Sequence, residues 1–511
     1  MSQALSTDSI VTVIGAGAMG AGIAQIAAVA GHPVRLFDTR AGAAEQAKAG
    51  IAATLGKLAD KGKISAEVRD RAIANLQPIA ALSDAAGSAL VVEAIVENLE
   101  VKRQLFVDLA AIVGDTCILA SNTSSISLTA IAAGVPVPER VVGMHFFNPA
   151  PLMALVEVVS GLTTGQDVAD CIYATALAWG KAPVHTTSSP GFIVNRVARP
   201  YYAEGLRLLH EQAATPATID ALLREAGNFR MGPFELMDLI GHDVNFAVTS
   251  SVFAAYFNDQ RLLPSLIQQE LVAAGHLGRK SGRGFYDYGP DASAPQPAAL
   301  AAAPAPSSVI LRGDLGPAQA LAERLAQAGI TVERAAADVG FPDGALQIGN
   351  TLLVLTDGRT ATQRAALTGC AGLVLFDLAF DYSSAKRLAI AKADQASDAD
   401  LAAAAGALQA AGITCSQLDD IPGLAVMRTV AMLANEAADA VNQGVCSAAG
   451  ADLAMQKGVN YPRGPLAWAD LVGVSRIATV LAHLAAHYGE DRYRTSPLIQ
   501  RKVWAQGTFH G

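Results

Sequence analysis

His145 and Glu157 stand symmetrically about a turn-forming stretch, Asn148-Pro149-Ala150-Pro151, each six residues from Pro151. The flanking runs, Arg140 to Phe146 and Leu155 to Val159, read as two strands. Folded as an antiparallel hairpin about that centre, they would set the imidazole opposite the carboxylate on one face. Such a couple fixes the imidazole tautomer and favours its protonated form, which a base that takes an alcohol proton requires. A second constellation lies near the start. Gly15, Gly17 and Gly20 make G-x-G-x-x-G after the apolar run Ile10 to Ile14, and Asp38 ends the next apolar run 18 residues beyond Gly20. The first glycine permits a tight turn, the second lets backbone approach a pyrophosphate, and the third allows close helix–strand packing. Asp38 would accept hydrogen bonds from ribose hydroxyls and repel a 2′-phosphate, so NAD is expected over NADP, with Arg40 the one feature on the other side.

The elements needed to position these groups are legible around them. Gly15 to Gly20 reads as a turn between a strand and a small-residue helix, Met19 to Val29. Helical patterns fill most of 41–73, Ala89 to Val96 reads as a strand, Leu99 to Val113 as a helix and Thr116 to Ala120 as a strand. Strands alternating with helices imply a largely parallel sheet covered on both faces. From Gly191 to about Tyr256 helices dominate, ending in the glycine-rich GRKSGRGFYDY at 278–288.

Composition bounds the rest. The chain has 511 residues, 51% hydrophobic and 16% charged, which suits several well-packed domains. With 37 Lys and Arg against 46 Asp and Glu, the net charge is −9, which argues against holding nucleic acid on a broad basic surface. Five scattered cysteines without C-x-x-C signal neither a disulfide framework nor a zinc cluster, so a reducing cytoplasm is expected. Ile10 to Gly31 is uncharged and long enough to span a bilayer, but its five glycines would weaken a helix and no Lys or Arg precedes it. No membrane association is expected. His483 and His487 are four apart on a helix, yet Leu484 follows the first and no third ligand is evident, so no metal is expected.

The second half repeats the first. Residues 289–308 are Pro/Ala-rich and read as a linker, and 309–420 returns to short strands and helices. There Arg312-Gly313-Asp314-Leu315-Gly316-Pro317 follows the first strand, with two glycines and with Asp314 where a phosphate would lie. A Rossmann-like domain with no nucleotide site is expected. A fixed offset of 232 then pairs Gly191 with Gly423, Arg196 with Arg428, Glu204 with Glu436, Gly232-Pro233 with Gly464-Pro465 and Gly241 with Gly473. The expected organisation is an α/β Rossmann domain over 8–190, an all-α domain over 191–288, a linker over 289–308, a degenerate Rossmann-like domain over 309–420 and a second, inactive helical copy over 421–505.

GAGAMG at 15–20, VEAIVENLEVK at 92–102, SNTSS at 121–125, HFFNPAPLMALVEV at 145–158, PGFIVNR at 190–196 and MGPFEL at 231–236 resemble the L-3-hydroxyacyl-CoA dehydrogenases. The resemblance covers 8–288 almost continuously. The linked second half resembles the long bacterial form, which includes 3-hydroxyadipyl-CoA dehydrogenases of phenylacetate degradation and 3-hydroxybutyryl-CoA dehydrogenases. The resemblance implies NAD-dependent oxidation of (S)-3-hydroxyacyl-CoA to 3-oxoacyl-CoA. It makes His145 the general base and Glu157 its orienting partner, with Ser124 and Asn195 on the substrate's 3-oxygen and thioester region. It puts Glu97, Lys102, Asn148 and Lys280 at the cofactor and Lys61 at the CoA portion. Helical domains that dimerise in the short members would pair here as an internal pseudo-dimer, with further homo-oligomerisation left open.

Two departures bear on function. Met427 takes the position of Asn195 in the second copy, so that half is expected to be structural. Arg199 lies one helical turn after Asn195, where the resemblance leads one to expect an apolar residue. A cation there would suit an acyl chain with a distal carboxylate, as in 3-hydroxyadipyl-CoA; the alternative is a surface arginine paired with an acid. 3-Hydroxybutyryl-CoA is the alternative substrate, and a hydroxy-acid or sugar-acid dehydrogenase or a non-catalytic NADH-sensing protein are the remoter readings.

Overall fold

The computed structural model describes residues 3–337 and 344–511. The chain forms two compact units: residues 1–196 with 443–459, and 197–442 with 460–511.

The first unit is built on an eight-stranded sheet: β1 (Val11–Ile14), β2 (Val34–Phe37), β3 (Leu76–Pro78), β4 (Leu90–Glu93), β5 (Ile118–Ser121), β6 (Val141–Phe146), β7 (Leu155–Ser160) and β8 (Ala182–Thr187), in the order β3-β2-β1-β4-β5-β6-β7-β8. Every neighbouring pair is parallel except β6 with β7. Central strands are apolar because helices cover both faces; β1 is buried throughout, and its one polar side chain, Thr12, is satisfied by Ser88 Oγ at 2.7 Å. The edge strands β3 (LQP) and β8 (APVHTT) are partly exposed and carry no continuous apolar run, so the sequence barely announces them. Helix Ala18–Ala30 lies close against β1 because Gly20 leaves room; a Cβ there would sit 1.7 Å from the Gly15 carbonyl oxygen. The 41–73 region resolves into helices Ala43–Asp60 and Ala66–Asn75, the latter capped by Ser65.

The second unit holds the degenerate sheet and most of both helical copies. Strands β9 (Ser308–Arg312), β10 (Thr331–Ala335), β11 (Ala345–Ile348), β12 (Thr351–Leu355), β13 (Leu373–Phe376), β14 (Arg387–Lys392) and β15 (Thr414–Gln417) run in the order β10-β9-β11-β12-β13-β14-β15. β11 wedges between β9 and β12, antiparallel to both, so this sheet is mixed. The fold class expected from the sequence, two Rossmann-type sheets each with a helical domain, is the one observed.

The helical repeat is visible in detail. Helices Pro233–Ile240 and Pro465–Val472 both start with Pro at the first turn after Gly, and both end at a positive-φ glycine, Gly241 or Gly473. Asp238 accepts the N–H groups of Phe285 and Tyr286, while its counterpart Asp470 accepts those of Phe509 and His510. The second copy therefore runs past residue 505. Neither copy is a self-contained block. Helix Ala448–Gly458 belongs to the first unit, where it packs on β7 and β8, and Val445 just before it accepts the Thr187 N–H at 3.0 Å. Its counterpart Pro216–Glu225 packs on β14, with Glu225 held by Arg387 at 3.1 Å. Sequence periodicity shows a helix but not which sheet it covers.

Within the second unit the two copies meet along helices Arg199–His210 and Val426–Asn442. Buried there, Arg428 donates to Glu204 at 2.6 Å, Glu211 at 3.1 Å, and the hydroxyls of Tyr488 and Tyr493. Arg494 pairs with Asp259 at 2.6 Å across the same two copies. Arg428→Leu leaves the buried Glu204 carboxylate without its cation, with only the Tyr493 hydroxyl at 3.0 Å still donating to it, and is expected to destabilise this unit by about 3–5 kcal/mol. Urea unfolding should show the loss, and adding Glu204→Leu should restore part of it.

Candidate active site

The order of the first sheet reverses between β1 and β4, so the loops after these strands part and leave a crevice at their C-terminal ends. The glycine loop opens onto it. Gly15 has φ +101°, and a Cβ there would lie 2.4 Å from the Ala94 carbonyl oxygen, so the fold itself demands glycine at 15 and 20. Gly17 is different: an added Cβ would meet no described atom within 4 Å. The space beside Gly17 is open and lies on a cavity, which is the fit a pyrophosphate needs. Gly17 is also the N-cap of helix Ala18–Ala30, whose first turn has no side-chain cap and no acidic residue. Its N–H groups and the positive end of the dipole are available to an anion.

Asp38, at the end of β2, accepts the Ala16 N–H at 2.8 Å and thereby braces the glycine loop. The Arg40 side chain beside it, at 3.1 Å, holds its carboxyl down at about 2. Gly17 and Arg40 line a cavity of about 570 Å³ that extends along helix Ala43–Asp60 to Thr54 and Leu58 and reaches Leu152 of the β6–β7 loop. Lys61 lies exposed just beyond the end of that helix, three residues after Leu58.

His145 and Glu157 are paired in register across β6 and β7, and His145 Nδ1 lies 2.6 Å from Glu157 Oε2. Both are buried, and the rings of Phe147 and Phe192 pack on the imidazole at 4.6 and 5.7 Å. With Nδ1–H donated to the carboxylate, Nε2 is the lone-pair nitrogen. The other carboxylate oxygen, Oε1, accepts the N–H groups of Ile193 and Val194, both at 3.0 Å. One side chain thus orients the imidazole and fixes the segment leading into Asn195. Asn195 is half-buried, and its amide has no protein partner among the described residues.

Glu97 ties the loops after β4 and β5 together. Its Oε1 accepts the Thr123 hydroxyl at 2.6 Å, the Ser124 N–H at 3.0 Å and the Ser125 hydroxyl at 3.0 Å. Burial pushes its carboxyl up, but the Thr123 hydroxyl, Lys102 and the Ser124 N–H outweigh burial and hold it below the usual carboxylate range. Lys102 is almost completely buried, its Nζ 2.6 Å from Glu93 and 3.2 Å from Glu97. It bears on the crevice through Glu97. Ser124 Oγ lies 3.5 Å from Glu97, and Asn148 is exposed on the β6–β7 loop. Lys280 and Arg199 belong to the second unit. There Lys280 pairs with Asp243 at 2.5 Å, and Arg199 is buried and bonded to Thr249, not the acid-paired surface side chain of the alternative reading.

Three supporting residues escape the sequence reading. Glu93 accepts the Ser121 hydroxyl at 2.7 Å beside Lys102, Thr123 anchors Glu97, and Asn122 Oδ1 accepts the Phe146 N–H at 2.8 Å next to His145. A glutamate closing an apolar strand at 93 was the available signal for the first.

Among the described residues the second half does not repeat this arrangement. The register pairs of β13 with β14 are Val374–Lys392, Leu375–Ala391 and Phe376–Ile390, with no imidazole–carboxylate couple. Asp377 accepts the N–H groups of Ala425, Val426 and Met427, anchoring the helix start as Glu157 does at 193 and 194, but Met427 replaces the amide. Asp314 folds back onto the Gly316 N–H at 2.8 Å in the loop where the glycine motif would be.

Comparison with known proteins shows the family. Residues 10–189 match the model for the 3-hydroxyacyl-CoA dehydrogenase NAD binding domain, 191–288 and 423–508 match the C-terminal domain, and 353–422 match the 3-hydroxybutyryl-CoA dehydrogenase reduced Rossmann-fold domain. The chain is 45% identical to 3-hydroxyadipyl-CoA dehydrogenase of Escherichia coli K12, over 98% of both chains. The chain belongs to the 3-hydroxyacyl-CoA dehydrogenase family. A crystal structure of 3-hydroxybutyryl-CoA dehydrogenase from Escherichia coli K12 superposes with a TM-score of 0.89 at 44% identity, covering 98% of this chain and 99% of that one. Human mitochondrial hydroxyacyl-coenzyme A dehydrogenase is 41% identical over 54% of this chain and 90% of its own length. This family member is an NAD-dependent dehydrogenase, and NAD is its cofactor. Among the described residues no single helix is long and apolar enough to cross a membrane.

The glycines separate fold from ligand. Gly20→Ala is expected to lower the melting temperature sharply, because its Cβ collides with backbone. Gly17→Ala costs less than about 1 kcal/mol as a helix cap, yet should weaken NADH binding at least tenfold in a fluorescence titration.

Proposed function

We propose that the chain oxidises (S)-3-hydroxyacyl-CoA to 3-oxoacyl-CoA, with 3-hydroxyadipyl-CoA as its preferred thioester. The observation that carries the reaction is the His145–Glu157 couple, at 2.6 Å, in the same unit as the open glycine loop. The near full-length similarity to a 3-hydroxyadipyl-CoA dehydrogenase supports the substrate. 3-Hydroxybutyryl-CoA is the second reading, supported by the name of the structure that superposes over both halves.

Bound NAD supplies the hydride acceptor for C3. His145 Nε2 takes the proton of the 3-hydroxyl as the O–H bond breaks, and the Glu157 carboxylate stabilises the imidazolium so formed. Ser124 and the unengaged Asn195 amide donate to the 3-oxygen while charge develops on it. Gly15, Gly17, Gly20 and Asp38 hold the pyrophosphate and ribose, and Glu97, braced from behind by Lys102, borders the cofactor with Asn148. Lys61 meets the CoA portion. Five cysteines that form no disulfide suit a reducing cytoplasm as the site of action. A panel of (S)-3-hydroxyacyl-CoAs followed by NADH absorbance should give turnover with the highest kcat/KM on the adipyl chain; no turnover on any thioester would refute the reading. His145→Gln should lower kcat by about 10²–10⁴. Glu157→Gln should do likewise, because the amide's donor side favours the opposite imidazole tautomer.

We infer also that the two helical copies act as an internal pseudo-dimer. The Arg428–Glu204 and Arg494–Asp259 pairs between them support it. Truncation near residue 290 should then give an insoluble or newly dimeric protein in light scattering after size exclusion; a well-behaved monomer would contradict it.

A further inference from the structure

A cavity of about 260 Å³ lies wholly within the second unit, against helix Arg199–His210. Arg199 forms part of its wall and is 95% buried, at 5% exposure. Its Nη1 donates to Thr249 Oγ1 at 2.9 Å, and the Thr249 hydroxyl is itself committed to the Asn245 carbonyl at 2.9 Å. The guanidinium lies over the Tyr202 ring, 4.8 Å from its centroid, and Nε has no partner. Among the described residues no carboxylate pairs with Arg199. The carboxylates on the cavity wall, Glu211 and Glu490, are already engaged by Arg207, at 3.0 and 2.7 Å. Arg199 also opens its helix, where the positive end of the dipole makes a cation less welcome still.

A guanidinium stays charged when buried, and a buried charge without a counterion is costly. The fold does not need that cost. At the 232-residue offset the second copy has Ala431 in place of Arg199 and Leu481 in place of Thr249, both fully buried. The same helix pair therefore packs with two apolar side chains where the first copy keeps an arginine and a hydroxyl. Leu206, Leu262, Leu263 and Leu266 give the wall an aliphatic strip beside its polar side chains, and Leu263 and Leu266 stand exposed at its edge.

We propose that this cavity is a carboxylate site: the Arg199 guanidinium binds the terminal carboxylate of an aliphatic chain whose methylenes lie along Leu262, Leu263 and Leu266. Two sources share that chemistry, the distal end of a dicarboxylyl thioester and a free aliphatic dicarboxylate. The first rests on the dehydrogenase reading above; the second does not.

The test uses the full-length chain, with Arg199→Leu and the charge-retaining Thr249→Val as variants. One arm compares kcat/KM for 3-hydroxyadipyl-CoA and 3-hydroxyhexanoyl-CoA, which have equal chain length and differ in the carboxylate. The other follows melting temperature against free adipate, with hexanamide as the uncharged control. For a thioester tail, the adipyl-over-hexanoyl preference should fall at least tenfold in Arg199→Leu and about threefold in Thr249→Val. For a free acid, adipate but not hexanamide should raise the wild-type melting temperature, and Arg199→Leu should abolish the shift while the thioester preference stays put. The proposal is overturned if Arg199→Leu, or Thr249→Val should the first variant misfold, changes neither the preference nor the adipate shift. Failure of every thioester to turn over, with the adipate shift intact, would remove the dehydrogenase reading and leave the site.

Discussion

The Glu157 carboxylate is the interaction on which the catalytic half depends. It is fully buried, so both oxygens must be satisfied by protein. One takes the His145 imidazole across the hairpin, and the other takes two backbone N–H groups at the start of the segment that carries Asn195. The His145 imidazole and the backbone leading into Asn195 are therefore held by one carboxylate, and neither can drift without unsatisfying the other. Such coupling is the preorganisation that the proposed proton transfer would use, because the imidazole is already aimed by the fold.

Around this couple, acidic side chains serve as joints between loops that the sheet alone would leave independent. Glu97 gathers three consecutive residues of the β5 loop, Glu93 secures Lys102 behind it, and Asp38 ties the β2 end to the glycine loop. Glu97 and Asp38 each cross from one strand end to another, so the crevice at the switch point is held by charge-assisted hydrogen bonds.

The second half shows what remains when chemistry is lost and architecture is kept. Asp377 preserves the anchoring of a helix start by carboxylate, while the imidazole, the amide and the open glycine are gone. The two copies differ where a ligand would matter and agree where a helix must begin or end. They also lend helices across the duplication: Ala448–Gly458 covers β7 and β8 of the first sheet, and Pro216–Glu225 covers β14 of the second.

The sequence by itself determined the features governed by local spacing. The symmetry of positions 145 and 157 about Pro151 gives the register found between β6 and β7, because side chains in a strand alternate with a strict period. The glycine triplet with Asp38 gives the loop that opens beside Gly17, and the offset of 232 gives the repeated helices. Other features were decided only by the tertiary structure. Lys102 and Arg199 look alike as cations on helices, yet the first is closed between two carboxylates and the second is buried without one. Asn122 finds Phe146, and a helix near residue 450 finds a strand near residue 185. Such pairings depend on which surfaces the chain brings together over long separations, and period and propensity carry no information about a partner hundreds of residues away.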